Sequence, residues 1–125
     1  NIHRGAYDLS MESSTLYDRA KDKVGSHLGG VSQHEIVFTY NATYAANLVA
    51  HSLAKTKLLQ KGDIILLSRA EHHANIVPWQ IIAEEYDITI DWIDVHQDGT
   101  IDYDDLAKKL PNAKLLGLTA ASNVT

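Results

Sequence analysis

No cysteine occurs in the 125 residues. Disulfides, thiolate metal sites and cysteine nucleophiles are therefore excluded within this chain. No long apolar span and no charged-then-apolar leader is present, so neither a membrane helix nor a secretory signal is expected. No dense basic run is found either. With a formal net charge of -5 the chain is a poor general nucleic-acid binder, because neutralising phosphates needs a basic surface. Lys21 and Lys23, Lys55, Lys57 and Lys61, and Lys108 and Lys109 read as solvated faces and helix ends. Repeats and low-complexity linkers are absent. Of the two prolines, Pro78 fits only the first turn of a helix, where no backbone donor is missed.

What is there suits a globular domain. The hydrophobic fraction is 45% and the charged fraction 22%, and 125 residues can bury a real core. Strand and helix patterns alternate, which predicts an α/β fold: a mostly parallel sheet with helices on both faces and right-handed crossovers. Helices are expected over 10–28, 43–58, 75–86 and 103–110, and strands over 35–39, 64–68, 88–95 and 114–119. Ser10 is the expected N-cap of the first helix, Gly29-Gly30 its stop, and Leu16, Ala20, Val24 and Leu28 its apolar stripe. Ala45, Leu48, Val49, Ser52 and Leu53 are the expected inner face of the second helix. The sequence opens on Asn1 and closes on Thr125 directly after an expected strand, which suggests a piece of something longer.

Polar clusters follow the strands, where open α/β sheets place their ligands. Glu71-His72-His73-Ala74-Asn75-Ile76-Val77-Pro78-Trp79 follows the apolar run Ile64-Ile65-Leu66-Leu67. Adjacent histidines do not face one another on a helix and alternate faces in a strand, so two ligands to one ion are not expected, and no third ligand is evident. One imidazole half buried and the other exposed is the plain alternative. An imidazole lying flat on an aromatic ligand, and able to move a proton, is the third. Thr39-Tyr40-Asn41-Ala42-Thr43 precedes a helix, whose free N–H groups and positive end form an anion cradle. Alone, that segment is more economically a plain N-cap. Asn123, after Ser122, is either a turn residue or a donor to a ligand oxygen. His3-Arg4-Gly5 is either a terminus or an anion fork. Trp79 and Trp92 read as core or interface fillers.

Together these segments resemble one family, the group II cysteine desulfurases of the class V aminotransferases. Asn1-Ile2-His3-Arg4-Gly5 with Leu9-Ser10 is similar to their opening, and Glu35-Ile36-Val37-Phe38-Thr39 with Asn47-Leu48-Val49-Ala50 to their phosphate-loop segment. Glu71-His72-His73-Ala74-Asn75 with Val77-Pro78-Trp79-Gln80 is the sharpest likeness, and Asp98-Gly99-Thr100 and Ser122-Asn123-Val124 follow in order. The resemblance implies a single partial domain over 1–125, the N-terminal half of a fold-type I large domain that uses pyridoxal 5'-phosphate (PLP). It implies His72 stacked over the pyridine ring in a catalytic role, Asn123 at the ring's 3'-oxygen, and Ala42 and Thr43 at the phosphate. His3 and Arg4 fall at the active-site mouth, serving substrate or a neighbouring subunit. It also implies L-cysteine as substrate, alanine and an enzyme persulfide as products, sulfur delivery to iron–sulfur assembly, a homo-oligomer and a cytoplasmic setting.

Two departures stand out. The family's Gly-Thr-Thr-Glu loop reads Asn41-Ala42-Thr43-Tyr44, which loses a hydroxyl, and its His-Val before Ser122 reads Ala120-Ala121. The resemblance sets the acid at the pyridine nitrogen, the Schiff-base lysine and the persulfide cysteine after Thr125, so weak, non-covalent PLP binding is expected of these 125 residues. Alternatives are a non-catalytic oligomerising module, a selenocysteine lyase, and an unrelated doubly wound domain for another phosphate ligand.

Overall fold

The computed structural model of the protein describes residues 7–122. The chain divides into two compact units, one ending at Phe38 and the other beginning at Thr39. The first holds helix α1 (Asp8–His27). The second holds α2 (Ala42–Lys55), β1 (Ile64–Ser68), α3 (Val77–Tyr86), β2 (Thr89–Ile93), α4 (Tyr103–Lys109) and β3 (Leu115–Gly117), in that order.

In the second unit the strands form one parallel sheet in the order β2-β1-β3. The central strand is apolar from Ile64 to Leu67, as parallel strands covered on both faces are. Its Ile65, Leu66 and Leu67 are fully buried. Ile65 pairs with Ile90 and Leu115, and Leu67 with Trp92 and Gly117. Ile65 and Leu67 face a core made with Ala50 and Ala54 of α2 and Trp79 and Ile82 of α3. Leu66 and Ser68 take the other face by the two-residue strand period. Pro78 stands in the first turn of α3 and is buried. α3 ends at Asp87, a left-handed residue with φ 56°.

Several expectations are corrected. No strand forms over Glu35–Thr39. Gln33–Glu35 is a 3-10 turn closed by a capping box, in which the Glu35 carboxylate accepts from the Ser32 N–H (3.1 Å) and the Ser32 hydroxyl oxygen from the His34 N–H (3.3 Å). Ile36 is extended, and residues 36–38 have no ladder partner among the described residues. Strand propensity needs a neighbouring strand to become a strand. Phe38 instead meets Tyr17 edge to face, with ring centroids 5.7 Å apart.

Ser10 is not a cap. α1 begins two residues earlier, behind Tyr7 and with Asp8 in its first turn, where a carboxylate suits the helix dipole. The expected stripe of α1 is also displaced: Leu16 and Leu28 are exposed, and the buried residues are Ser10 and Gly25. Gly25 is required there, because a Cβ on it would stand 2.1 Å from the Val31 carbonyl oxygen as the chain folds back. Gly29 and Gly30 do stop the helix, with φ of 90° and 93°.

α2 turns a different face inward. Its buried residues are Ala50 and Ala54, with Leu53 packed beside them, whereas Leu48 and Val49 are exposed. The four-residue repeat Ala42, Ala46, Ala50, Ala54 is the stripe that matters, since small side chains let the helix approach the sheet closely. α3 begins at Val77, with His73–Asn75 in a separate 3-10 turn. His27 ends α1, and His34 lies in its own 3-10 turn.

α4 is fastened to the end of β2 by one partly buried ion pair. Lys109 Nζ donates to Asp105 Oδ2 (2.8 Å) and to the Trp92 carbonyl oxygen (2.7 Å), while Asp105 Oδ2 also accepts from the Asp94 N–H (3.0 Å). The Lys109 hydrogen bond holds the Asp105 carboxyl below its ordinary range, and the Asp105 partner raises the Lys109 ammonium. A depressed carboxyl stabilises the fold above its unfolded pKa, and that contribution fades as pH falls through the folded value; a raised ammonium does so below about 10.4 and fades as pH climbs through the folded value. Asp105→Asn should therefore lower the melting temperature at pH 7 and shrink the acid-side loss of stability below about pH 4. Thermal melts across that range check this, and an unchanged acid limb would contradict it.

Candidate functional site

Glu71 organises the carboxyl ends of the two adjacent strands β1 and β3. It lies three residues past Ser68, the last residue of β1, and is buried. A buried carboxylate must be met by donors. Glu71 Oε1 accepts from the Ser68 hydroxyl (2.6 Å) and from the Thr119 backbone N–H (2.6 Å), two residues past β3. Glu71 Oε2 accepts from Asn75 Nδ2 (2.8 Å), and Asn75 Oδ1 accepts from Trp79 Nε1 (2.9 Å). The loop after β1, the loop after β3 and the first turns of α3 are thus joined through one side chain. Gly117 makes room for this: a Cβ on it would stand 2.7 Å from Leu67 Cδ2 and 3.3 Å from Asn75 Nδ2.

Above this tie lies a hollow of about 430 Å³. Ala42 and Ala46 of α2 form one wall; Glu71, His72, Ala74 and Asn75 form a second; Leu118, Thr119 and Ala120 form the third. The position is the crevice beyond the carboxyl ends of neighbouring parallel strands. Its size suits a small-molecule site. Asn41 caps α2, its Oδ1 accepting from the Tyr44 N–H (2.8 Å). The Ala42 and Thr43 N–H groups, at the first two positions of the helix, have no intrahelical acceptor. With the positive end of the helix, they present an anion-binding end beside the hollow.

His72 lines the hollow and is exposed. Its Nδ1 accepts from the Ala74 N–H (3.1 Å) and caps the 3-10 turn. A backbone N–H can only donate, so the neutral ring carries its proton on Nε2. His73 is exposed as well, its ring edge-on to His72 with centroids 6.3 Å apart, so neither imidazole of the pair is half buried. Among the described residues no three His, Cys, Asp or Glu gather as a metal site.

Of the residues singled out in the sequence, the structure brings Ala42 and His72 to one hollow. Thr43 stands in the same helical turn as Ala42 but does not line the cavity. His3, Arg4 and Asn123 lie outside the described residues. Trp79 is core, with only its indole N–H used in the tie. Sequence reasoning missed the roles of Ser68, Glu71, Asn75 and Thr119. One signal was available: an acidic residue three positions past a largely apolar strand, with Asn75 four residues beyond it and Trp79 four beyond that.

A family profile described as Aminotransferase class-V matches residues 1–125. The chain is 38% identical over 124 residues to a cysteine desulfurase of Pectobacterium atrosepticum, covering 98% of this chain and 30% of that protein. An apo structure of a cysteine desulfurase from Thermococcus onnurineus NA1 superposes with a TM-score of 0.87 at 33% identity, covering 97% of this chain and 30% of the other. A C-DES mutant solved with glycine covalently linked to its PLP cofactor gives a TM-score of 0.68 at 24% identity, covering 92% of this chain and 30% of the other, and so shares the fold. The chain spans about 30% of the length of the curated relatives it matches. No helix among the described residues is long and apolar enough to cross a membrane.

The His72 cap makes a spectroscopic prediction. Long-range ¹H–¹⁵N correlation at a pH where the ring is neutral should find His72 protonated on Nε2 alone. A proton on Nδ1 would contradict the cap.

Proposed function

Since the chain belongs to the aminotransferase class-V family, we propose that it is a segment of a PLP-dependent cysteine desulfurase and supplies the non-covalent half of the cofactor site. The observation that carries this reading is the single hollow bounded by the start of α2 and the His72 turn. The residues present fit the group. Alanines at 42 and 46 leave the helix end open to a bulky ligand. The first-turn N–H groups of Ala42 and Thr43 suit a phosphate even without the hydroxyl that Ala42 lacks. The face of the His72 ring suits a planar heterocycle.

In this reading PLP, when bound, supplies an electron sink for bond breaking next to the amino-acid nitrogen. The chain's own residues bind and orient. Ala42 and Thr43 hold the phosphate, His72 fixes the ring, and Asn123 meets its 3'-oxygen. His72 acts through its ring face and through the proton at Nε2, because Nδ1 is committed to Ala74. His3 and Arg4 serve the substrate or a neighbouring subunit. No cysteine is present and none of the eight lysines lines the hollow. The reading therefore assigns cofactor attachment and sulfur transfer to residues outside these 125, with L-cysteine as substrate, alanine as product, and sulfur passing to iron–sulfur assembly in the cytoplasm. Selenocysteine lyase chemistry is the nearest variant of it.

A second reading, a self-associating module without catalysis, is favoured by exposed apolar side chains on α1 (Leu9 62%, Met11 62%, Leu16 58%) and by the two unpaired edges of the three-stranded sheet among the described residues. Sedimentation separates part of the question, since a stable monomer at micromolar concentration counts against self-association under either reading.

The catalytic reading is tested on the protein that carries this sequence, by its visible cofactor absorption and by sulfide and alanine release from L-cysteine, with selenocysteine as competitor. His72→Ala should cut turnover by roughly 10²-fold or more, as loss of a positioning and proton-holding group does. The isolated stretch 1–125 should bind PLP without a borohydride-trapped lysine adduct. Cysteine turnover that is unaffected by His72→Ala would remove His72 from the site.

A further inference from the structure

The tie beneath the hollow has a fixed direction. Its two ends are groups that can only donate: the indole N–H of Trp79 and the backbone N–H of Thr119. Between them stand two side chains of nearly the same shape class, an amide and a carboxylate. Asn75 must turn its oxygen to Trp79, so its NH₂ faces Glu71. Glu71 must therefore accept on both sides, from Asn75 on Oε2 and from Thr119 and Ser68 on Oε1. A relay with donors at both ends needs one member that only accepts, and the carboxylate is that member. Gly117 leaves the space that Asn75 occupies, since a Cβ there would stand 3.3 Å from Asn75 Nδ2.

We propose that Glu71 and Asn75 are positioning residues: their one-way relay locks the loop carrying His72 to the loop after β3, and so presets the hollow for its ligand. This rests on the PLP reading of the hollow. It assigns to two residues of the hollow's own wall a share of cofactor retention, by keeping two sides of the site in register. The polarity argument is specific. Glu71→Gln, though isosteric, leaves one donor facing another donor whichever way the amides flip, at Asn75, Trp79 or Thr119, because Trp79 and the Thr119 N–H cannot accept. Asn75→Asp sets two carboxylates against each other. The exchange of both, Glu71→Gln with Asn75→Asp, restores every donor–acceptor match: Trp79 and the new glutamine amide both donate to the aspartate, and the glutamine oxygen accepts from Ser68 and Thr119.

The test uses the protein that carries this sequence, its two single variants and the double exchange. Two readouts are taken: hydrogen exchange at the Thr119 amide and Trp79 indole N–H, and PLP affinity with the visible circular dichroism of the bound cofactor. Each single variant should speed exchange at both protons and weaken PLP retention by about tenfold or more, and the double exchange should return both to within about threefold of the parent. Singles indistinguishable from the parent overturn the proposal, and so does a double exchange no better than the worse single. Exchange that responds while cofactor affinity and dichroism stay at parent values reduces the relay to a structural brace and also overturns it. If a single variant does not fold, the double exchange decides: a folded double with the parent's exchange pattern and cofactor spectrum supports the proposal, and a failed one sinks it. A parent that takes up no PLP fails the reading of the site instead, and the exchange pattern then decides the relay by itself.

Discussion

A carboxylate removed from water at the end of a buried strand is the constraint on which the second unit turns. Glu71 cannot sit there uncompensated, so the chain must bring it donors. They come from β1's own last residue, from the loop beyond β3 and from Asn75. Ser68 is fixed in the ladder, whereas Asn75 and Thr119 lie outside the strands and are tied to it through Glu71. Loops after parallel strands have few ladder bonds of their own, and binding residues are commonly carried on such loops held by a rigid scaffold. Here the scaffold reaches into the loops through one side chain. Its charge makes the hydrogen bonds stronger than neutral ones and the loss of any of them more costly.

The opposite wall is set by subtraction. Along α2 the stripe Ala42, Ala46, Ala50, Ala54 runs from the mouth of the hollow into the core. Its inner half lets the helix lie close to Ile65 and Leu67. Its outer half, Ala42 and Ala46, continues the same line along the hollow, where small side chains leave space. One sequence feature therefore both packs the domain and opens the cavity. A larger residue at 46 would fill the cavity, and one at 50 would push the helix off the sheet.

Much of this was legible in the sequence for a simple reason: β1 is the one segment with no alternative reading. Ile64-Ile65-Leu66-Leu67 is too short for a helix and too apolar for a surface strand, so its bounds came out as 64–68 in both sequence and structure. The parallel α/β class and the location of ligand-facing residues past that strand followed from it. The helix faces were less legible. For α2 the large residues Leu48 and Val49 were expected inside, but close helix–sheet packing selected the alanines. Residues 35–39 had strand propensity without a described partner, and a local capping box at Ser32 and Glu35 claimed their first residue. The tie through Glu71 was hidden for a different reason. Its partner at Thr119 is a backbone N–H 48 residues away, which no side-chain pattern announces.

Holding a ligand and reacting with it place different demands on a chain. Holding needs donors, shape and loops that stay put, and these can come from groups that never change protonation state. Reaction needs a nucleophile and a base at matched pKa. The hollow meets the first demand with backbone N–H groups, alanine-lined space and an imidazole whose Nδ1 is already committed to Ala74. That commitment is itself informative. An imidazole anchored through Nδ1 keeps a defined ring orientation and one defined proton, which favours ring contact and donation from Nε2 over free exchange of protons through both nitrogens. Because the anchor is a backbone N–H in the turn that Asn75 ends, the orientation of His72 depends on the same turn that Glu71 secures. The buried charge below and the exposed ring above are thus two ends of one local structure.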